Sequence, residues 1–189
     1  PYACGASLVR DQSDYLSMTE DVAYVQFDDV DPGLFTLEGS RAATGPTGTW
    51  LTSEAIGFHG DGYGKILSRT IRMKSDLQDR LSRSGLPIHF VPGTDTNIMC
   101  FTIALVGESL SKANKRMEQI YEALSPEAGG PFIISKTTID RSLRNRQYDR
   151  LVEQWQGNAD SDKICVARMC LLNPFFDSKE MKTEFSKEF

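Results

Sequence analysis

Apolar and polar positions alternate along this chain in two distinct rhythms. Over residues 63–84 the apolar side chains Ile66, Leu67, Ile71, Leu77 and Leu81, with Thr70 and Lys74 between them, recur at helical spacing with charges opposite, and Gly85 follows as a stop. That stripe predicts one long amphipathic helix. Residues 88–91 and 99–106 are short and β-prone, with Gly93-Thr-Asp-Thr between them as a turn, and residues 109–124 return to helical spacing. A third strand is expected over 132–135, a polar and partly helical stretch over 141–156, and a fourth strand over 164–172. Asp177 offers an N-cap, and Met181 and Phe185 stand four apart, so a terminal helix is expected over 177–189.

The first third is less regular. Residues 4–10 are short, apolar and strand-like, and Asp11-Gln-Ser-Asp14 has the chemistry of a turn. Residues 15–33 are polar and irregular, with an extended piece near 23–27, and a connection of that length is uncommon unless it has a role. Residues 42–56 carry Trp50, Leu51, Ala55 and Ile56 at helical spacing, but Gly45, Pro46 and Gly48 are poor helix formers that packing has to offset. Residues 57–62 read as a break. From Gly85 onward, strands interleaved with helices indicate an α+β sandwich with helices on one face.

Composition narrows the class. The chain has 189 residues, 40% hydrophobic and 25% charged, enough to bury a core and make one domain or somewhat more. A net charge of -5 gives no electrostatic reason for nucleic acid or an anionic membrane surface as partner. No apolar run approaches the roughly 20 residues that span a bilayer, and the start lacks a basic-then-apolar leader pattern, so a cytoplasmic location is expected. Cys4, Cys100, Cys165 and Cys170 have no C-x-x-C spacing and sit in apolar segments, which predicts buried free thiols and no zinc site. His59 in a Gly-rich turn and His89 in a strand are read as structural. Arg168 stands between Val166, Ala167, Met169 and Cys170, and a guanidinium placed there needs an anionic partner, either a substrate carboxylate or an internal Asp or Glu.

Three segments carry a family resemblance: Pro1-Tyr-Ala-Cys-Gly-Ala-Ser-Leu-Val-Arg10, Phe35-Thr-Leu-Glu-Gly-Ser-Arg41 and Ala167-Arg-Met-Cys-Leu-Leu-Asn-Pro174. In this order they resemble the group II pyridoxal-phosphate-dependent amino-acid decarboxylases, in the branches of the tyrosine and glutamate decarboxylases and the sphingosine-phosphate lyases. The resemblance covers nearly the whole chain and weakens between about 128 and 162. It implies the C-terminal part of a type I pyridoxal-phosphate (PLP) transferase fold of α/β class, beginning just after the cofactor lysine. Residues 1–84 would complete the large PLP-binding domain with its connecting helices, and residues 85–189 would form the small α+β domain.

The function implied is decarboxylation of an amino acid with PLP as cofactor, by a homodimer in which this chain joins the N-terminal part of the same enzyme. Without the cofactor lysine the chain alone is expected to be inactive, since neither Lys65, Lys74 nor Lys163 can take its place. By the same resemblance Arg168 binds a substrate carboxylate and Tyr2 lines the active site. Gly39, Ser40 and Arg41 lie near the cofactor phosphate, where a turn before a helix can present hydroxyl and backbone donors. Tyr24, placed by distance in a mobile loop, is the candidate acid that protonates the substrate carbon. Ala42-Ala-Thr-Gly-Pro departs from the family's Pro-Gly-Gly at that point. Two other readings stay open: a PLP-dependent carbon-carbon lyase of a phosphorylated amino alcohol, with Arg141, Arg144 and Arg146 as added charge, and a non-catalytic fragment or dimerisation module.

Overall fold

A computed structural model of the chain describes residues 5, 8–17, 42–129 and 134–177. The chain divides into two compact units, residues 1–63 and 64–189.

In the first unit, helix α1 (Gln12–Leu16) occupies residues expected to form a turn and the start of a loop. Residues 8–10 are not in a strand, and Leu8 is 95% exposed, so the strand expected over 4–10 is absent from its described part. Helix α2 (Thr44–Ala55) forms despite its glycines. Pro46 lies in the first turn, where the missing N–H breaks no helical bond. Thr49 and Thr52 donate their hydroxyls to the carbonyls of Gly45 and Gly48 at 3.0 and 2.7 Å. The helix ends on Gly57, whose φ of 79° is a left-handed C-terminal cap, and its N–H bonds back to Thr52 O at 3.3 Å. Gly62 closes the following turn so tightly that a Cβ would stand 2.2 Å from the carbonyl oxygen of Ile56. Trp50 and Leu51 of α2 remain exposed within their own unit, at 60% and 54%.

The second unit is built on one sheet. Helix α3 (Tyr63–Ser82) ends three residues before Gly85, which takes a φ of 77°. Strand β1 (Ile88–Phe90), strand β2 (Ile98–Ile103), helix α4 (Leu110–Ala123), strand β3 (Ser135–Asp140), helix α5 (Arg141–Glu153) and strand β4 (Lys163–Cys170) follow. The strand order is β1-β2-β4-β3, and all three pairings are antiparallel. The third strand thus lies later than the apolar residues 132–135 suggested. The helix after it is complete, with a kink at Arg144 (φ -138°, ψ 40°), and Asp140 caps it by accepting from Ser142 N at 3.0 Å.

Both faces of the sheet carry a core. Because side chains alternate along a strand, Cys165 and Ala167 of β4 join Met99, Phe101 and Met117 on one face, with Leu77, Leu81 and Ile120 against them. Ile164 and Val166 point the other way, into Tyr148, Leu151, Val152 and Trp155. The expectation of helices on one face therefore needs correction: α5 and the segment after it close the opposite face. Trp155 is fully buried there and donates to the carbonyl of Glu108 at 3.1 Å.

Candidate functional site

Arg168 is the one proposed site residue that the described part of the chain contains. The burial of β4 runs from Ile164 to Ala167 and then stops: Arg168 is exposed although its neighbours on the strand are core. It follows Ile164 and Val166 along the same face, one step beyond the area that α5 covers. The apolar flanks that suggested a buried guanidinium are real, but the cation itself reaches solvent, so no internal carboxylate is required. Among the described residues none lies within ion-pair distance of it.

The sheet register fixes what surrounds Arg168. Cys100 of β2 is its cross-strand partner on one side and Ser135 of β3 on the other. The Ser135 hydroxyl donates to the Arg168 carbonyl at 2.8 Å and accepts from Arg168 Nε at 3.2 Å. Cys100 is half-buried, and Cys170, opposite Ile98, is exposed on the same face. Burial pushes the Cys100 thiol above its ordinary range, an effect that the positive charges of Arg168 and Lys74 oppose. The thiol beside Arg168 therefore stays uncharged near neutral pH.

Lys74, which falls on the apolar stripe of α3, is buried and donates to the carbonyl and hydroxyl of Thr94. The motif following Arg168 also has a local explanation. Asn173 Oδ1 accepts from Phe175 N at 3.0 Å, and Pro174 opens the 3-10 turn Pro174–Asp177. Asn-Pro here turns the chain sharply after β4, and the side chain of Asn97 holds the end of the strand by donating to Leu171 O at 3.0 Å.

The other candidates separate. Tyr2, Tyr24, Gly39, Ser40 and Arg41 lie outside the described residues, as does nearly all of the expected terminal helix. Arg141 pairs with Asp149 at 3.5 Å and lies over the Tyr148 ring, which removes it from a set of free cations. Arg144 and Arg146 are exposed beside a shallow surface depression they share with Ser142, Leu143 and Gln147. His89 donates from Nε2 to the Ala104 carbonyl at 3.0 Å and packs on Trp155, a structural role. Of the thiols, Cys165 is buried as expected, but Cys170 is exposed. Among the described residues no cluster of three or more His, Cys, Asp or Glu could hold a metal ion. No helix among them is long and apolar enough to cross a membrane.

Ser135 is the neighbour of Arg168 that sequence reading missed. Its only signal would have been the register of β3 against β4, which places it opposite Arg168.

No family model matches the chain. It is similar to an L-tyrosine decarboxylase of Enterococcus faecalis (strain ATCC 700802 / V583). The two are 22% identical over 203 aligned positions, which take in 95% of this chain and 32% of that protein. The chain thus spans about a third of the length of the curated relative it matches. This likeness is distant and covers both compact units, including the sheet that carries Arg168.

Proposed function

We propose that this chain is the C-terminal part of a PLP-dependent amino-acid decarboxylase of type I fold and that Arg168 binds the substrate through a carboxylate. The observation that carries the reading is an exposed guanidinium on a rigid central strand, held at Nε and lacking an acidic partner among the described residues. Its planar fork matches a carboxylate in bidentate fashion. The likeness to a tyrosine decarboxylase supplies the reaction class.

Donor chemistry decides which ligand suits this site. A cation with a neutral thiol and a hydroxyl beside it fits a substrate carboxylate; it offers no acidic group to pair with a pyridinium nitrogen. The cofactor's phosphate would instead be met by Gly39, Ser40 and Arg41. When bound, PLP supplies the electron sink that lets a carboxylate leave as carbon dioxide. The work of this chain's residues is then to orient and to protonate: Arg168 fixes the substrate's position, Tyr2 lines the site, and Tyr24 delivers a proton to the carbon that has lost its carboxylate. The parent enzyme would act as a cytoplasmic homodimer.

The test is carbon dioxide release by the polypeptide that joins this chain to its upstream sequence, assayed with aromatic and acidic amino acids. Arg168→Ala should lower kcat/KM by about 10²-fold or more, the loss of a charge-assisted pair of about 3 kcal/mol. If the α-carboxylate is the partner, every substrate suffers equally; if it is a side-chain carboxylate, only acidic substrates do. Wild-type kcat/KM in Arg168→Ala would refute the assignment.

A further inference from the structure

We infer that Ser135 is a positioning residue for Arg168, setting which edge of the guanidinium meets the substrate. This rests on the carboxylate-binding reading above and extends it to a residue that reading does not require.

Ser135 and Arg168 are paired across β3 and β4, and their backbones fix the separation. The hydroxyl has one proton, and it is committed to the Arg168 carbonyl at 2.8 Å. With the proton so placed, a lone pair faces Arg168 Nε at 3.2 Å. The hydroxyl therefore cannot swing away to donate elsewhere without losing a bond on the partner strand. Arginine carries five N–H donors, and a carboxylate can bind in parallel either to Nε and one Nη or to the two Nη groups. Ser135 occupies Nε. What remains is the terminal edge, so the carboxylate is received end-on, in line with the side chain.

A long, exposed arginine otherwise samples many rotamers, and ordering it on binding opposes affinity. Ser135 removes part of that cost in advance, because the serine sits on a strand and its own backbone is fixed. Cys100, on the other flank, is a weak acceptor with its proton retained and does not compete for the Nη groups.

Two substitutions and one direct observation test this. Ser135→Ala should raise KM about three- to tenfold, the effect of one net hydrogen bond, with kcat within about twofold. Ser135→Thr, which keeps the hydroxyl on a β-branched residue suited to a strand, should restore the wild-type KM. In the 189-residue chain, the Arg168 Nε–Hε resonance should be resolved for wild type and Ser135→Thr and lost to exchange in Ser135→Ala. A resonance unaffected by Ser135→Ala overturns the inference whatever the activity. An unchanged KM in Ser135→Ala beside a crippled Arg168→Ala also overturns it, while leaving the carboxylate reading intact. If Arg168→Ala is itself fully active, the carboxylate reading fails instead.

Discussion

The fold of the second unit should depend on Glu108 in a way that pH reveals. Glu108 lies in the connection from β2 to α4, and its two carboxylate oxygens accept from Nη1 and Nη2 of Arg116 at 2.6 Å each. It also accepts from the Leu105 N–H at 2.9 Å, while Arg116 Nη1 donates to the Ile103 carbonyl at 3.1 Å. The Glu108 side chain is only 10% exposed, against 31% for Arg116. The Arg116 pairing, helped by the Leu105 N–H and opposed by burial, brings the carboxyl from 4.5 down to about 2. A shift of that size corresponds to roughly 3 kcal/mol, and partial exposure of the arginine trims it to about 2–3. Because the folded-state value is depressed, the stabilisation is complete above about pH 4.5. It fades as pH falls toward about 2, and roughly 2 kcal/mol of it is gone by about pH 3. Glu108→Gln has no such titration. Urea unfolding should show the variant less stable by about 2 kcal/mol at neutral pH. By about pH 3 the gap should narrow to under about 1 kcal/mol. The other depressed carboxylates, Glu118, Asp140 and Asp160, are common to both proteins and cancel in the difference. A gap that stays constant from neutral pH to about pH 3 would refute the reasoning.

Further outcomes follow from single positions. Thr102 is fully buried, and its hydroxyl has no hydrogen-bond partner among the described residues, so Thr102→Val should leave stability unchanged or raise it by about 1 kcal/mol in thermal unfolding. A loss above about 1 kcal/mol would mean the hydroxyl is bonded in solution. A Cβ on Gly157 would stand 2.0 Å from Trp155 Nε1, so Gly157→Ala should displace the indole from the Glu108 carbonyl. We expect a cost of about 1–3 kcal/mol and an altered near-ultraviolet circular dichroism band; an unchanged band would contradict the packing described. Burial, with Glu118 nearby, pushes the Cys165 thiol up to about 11, whereas Cys170 is exposed. Peptide mapping after brief alkylation of the folded protein near neutral pH should find Cys170 modified and Cys165 untouched. Equal labelling would show that the sheet opens.

Elements with a buried apolar face were the most legible in the sequence. The stripe through Ile66, Thr70, Leu77 and Leu81 placed α3 to within two residues of its end, and Gly85 stopped it for the reason its φ shows. Strands β2 and β4 are central, and their runs of Val, Ile, Met and Cys marked them. Strand β3 is an edge strand of sequence SKTTID, and Lys136 and Thr138 are exposed, so its polar residues hid it and the apolar residues just before it drew the assignment. Helix α1, with no buried residue, had no pattern to read. Tyr2, Tyr24 and Gly39-Ser40-Arg41 were assigned through resemblance alone.

Arg168 shows how a linear reading misjudges burial on a strand. Apolar neighbours in sequence implied a buried charge, but neighbours in sequence lie on opposite faces of a strand, and each face is covered independently. On its own face Arg168 stands about 7 Å beyond Val166, at two residues of strand rise. That step is enough to leave the cover made by Tyr148, Leu151 and Trp155. The core clamps β4 through Ile164 and Val166 on one side and Cys165 and Ala167 on the other, while β2 and β3 hold it laterally. The backbone of Arg168 is thus as fixed as the core, and only its side chain has freedom left. A binding cation is best placed at such a boundary. One residue deeper on the face it would need an internal partner, and on a loop its position would vary. This is why a hydroxyl on the edge strand, a small group with a modest bond, can decide how the guanidinium is presented.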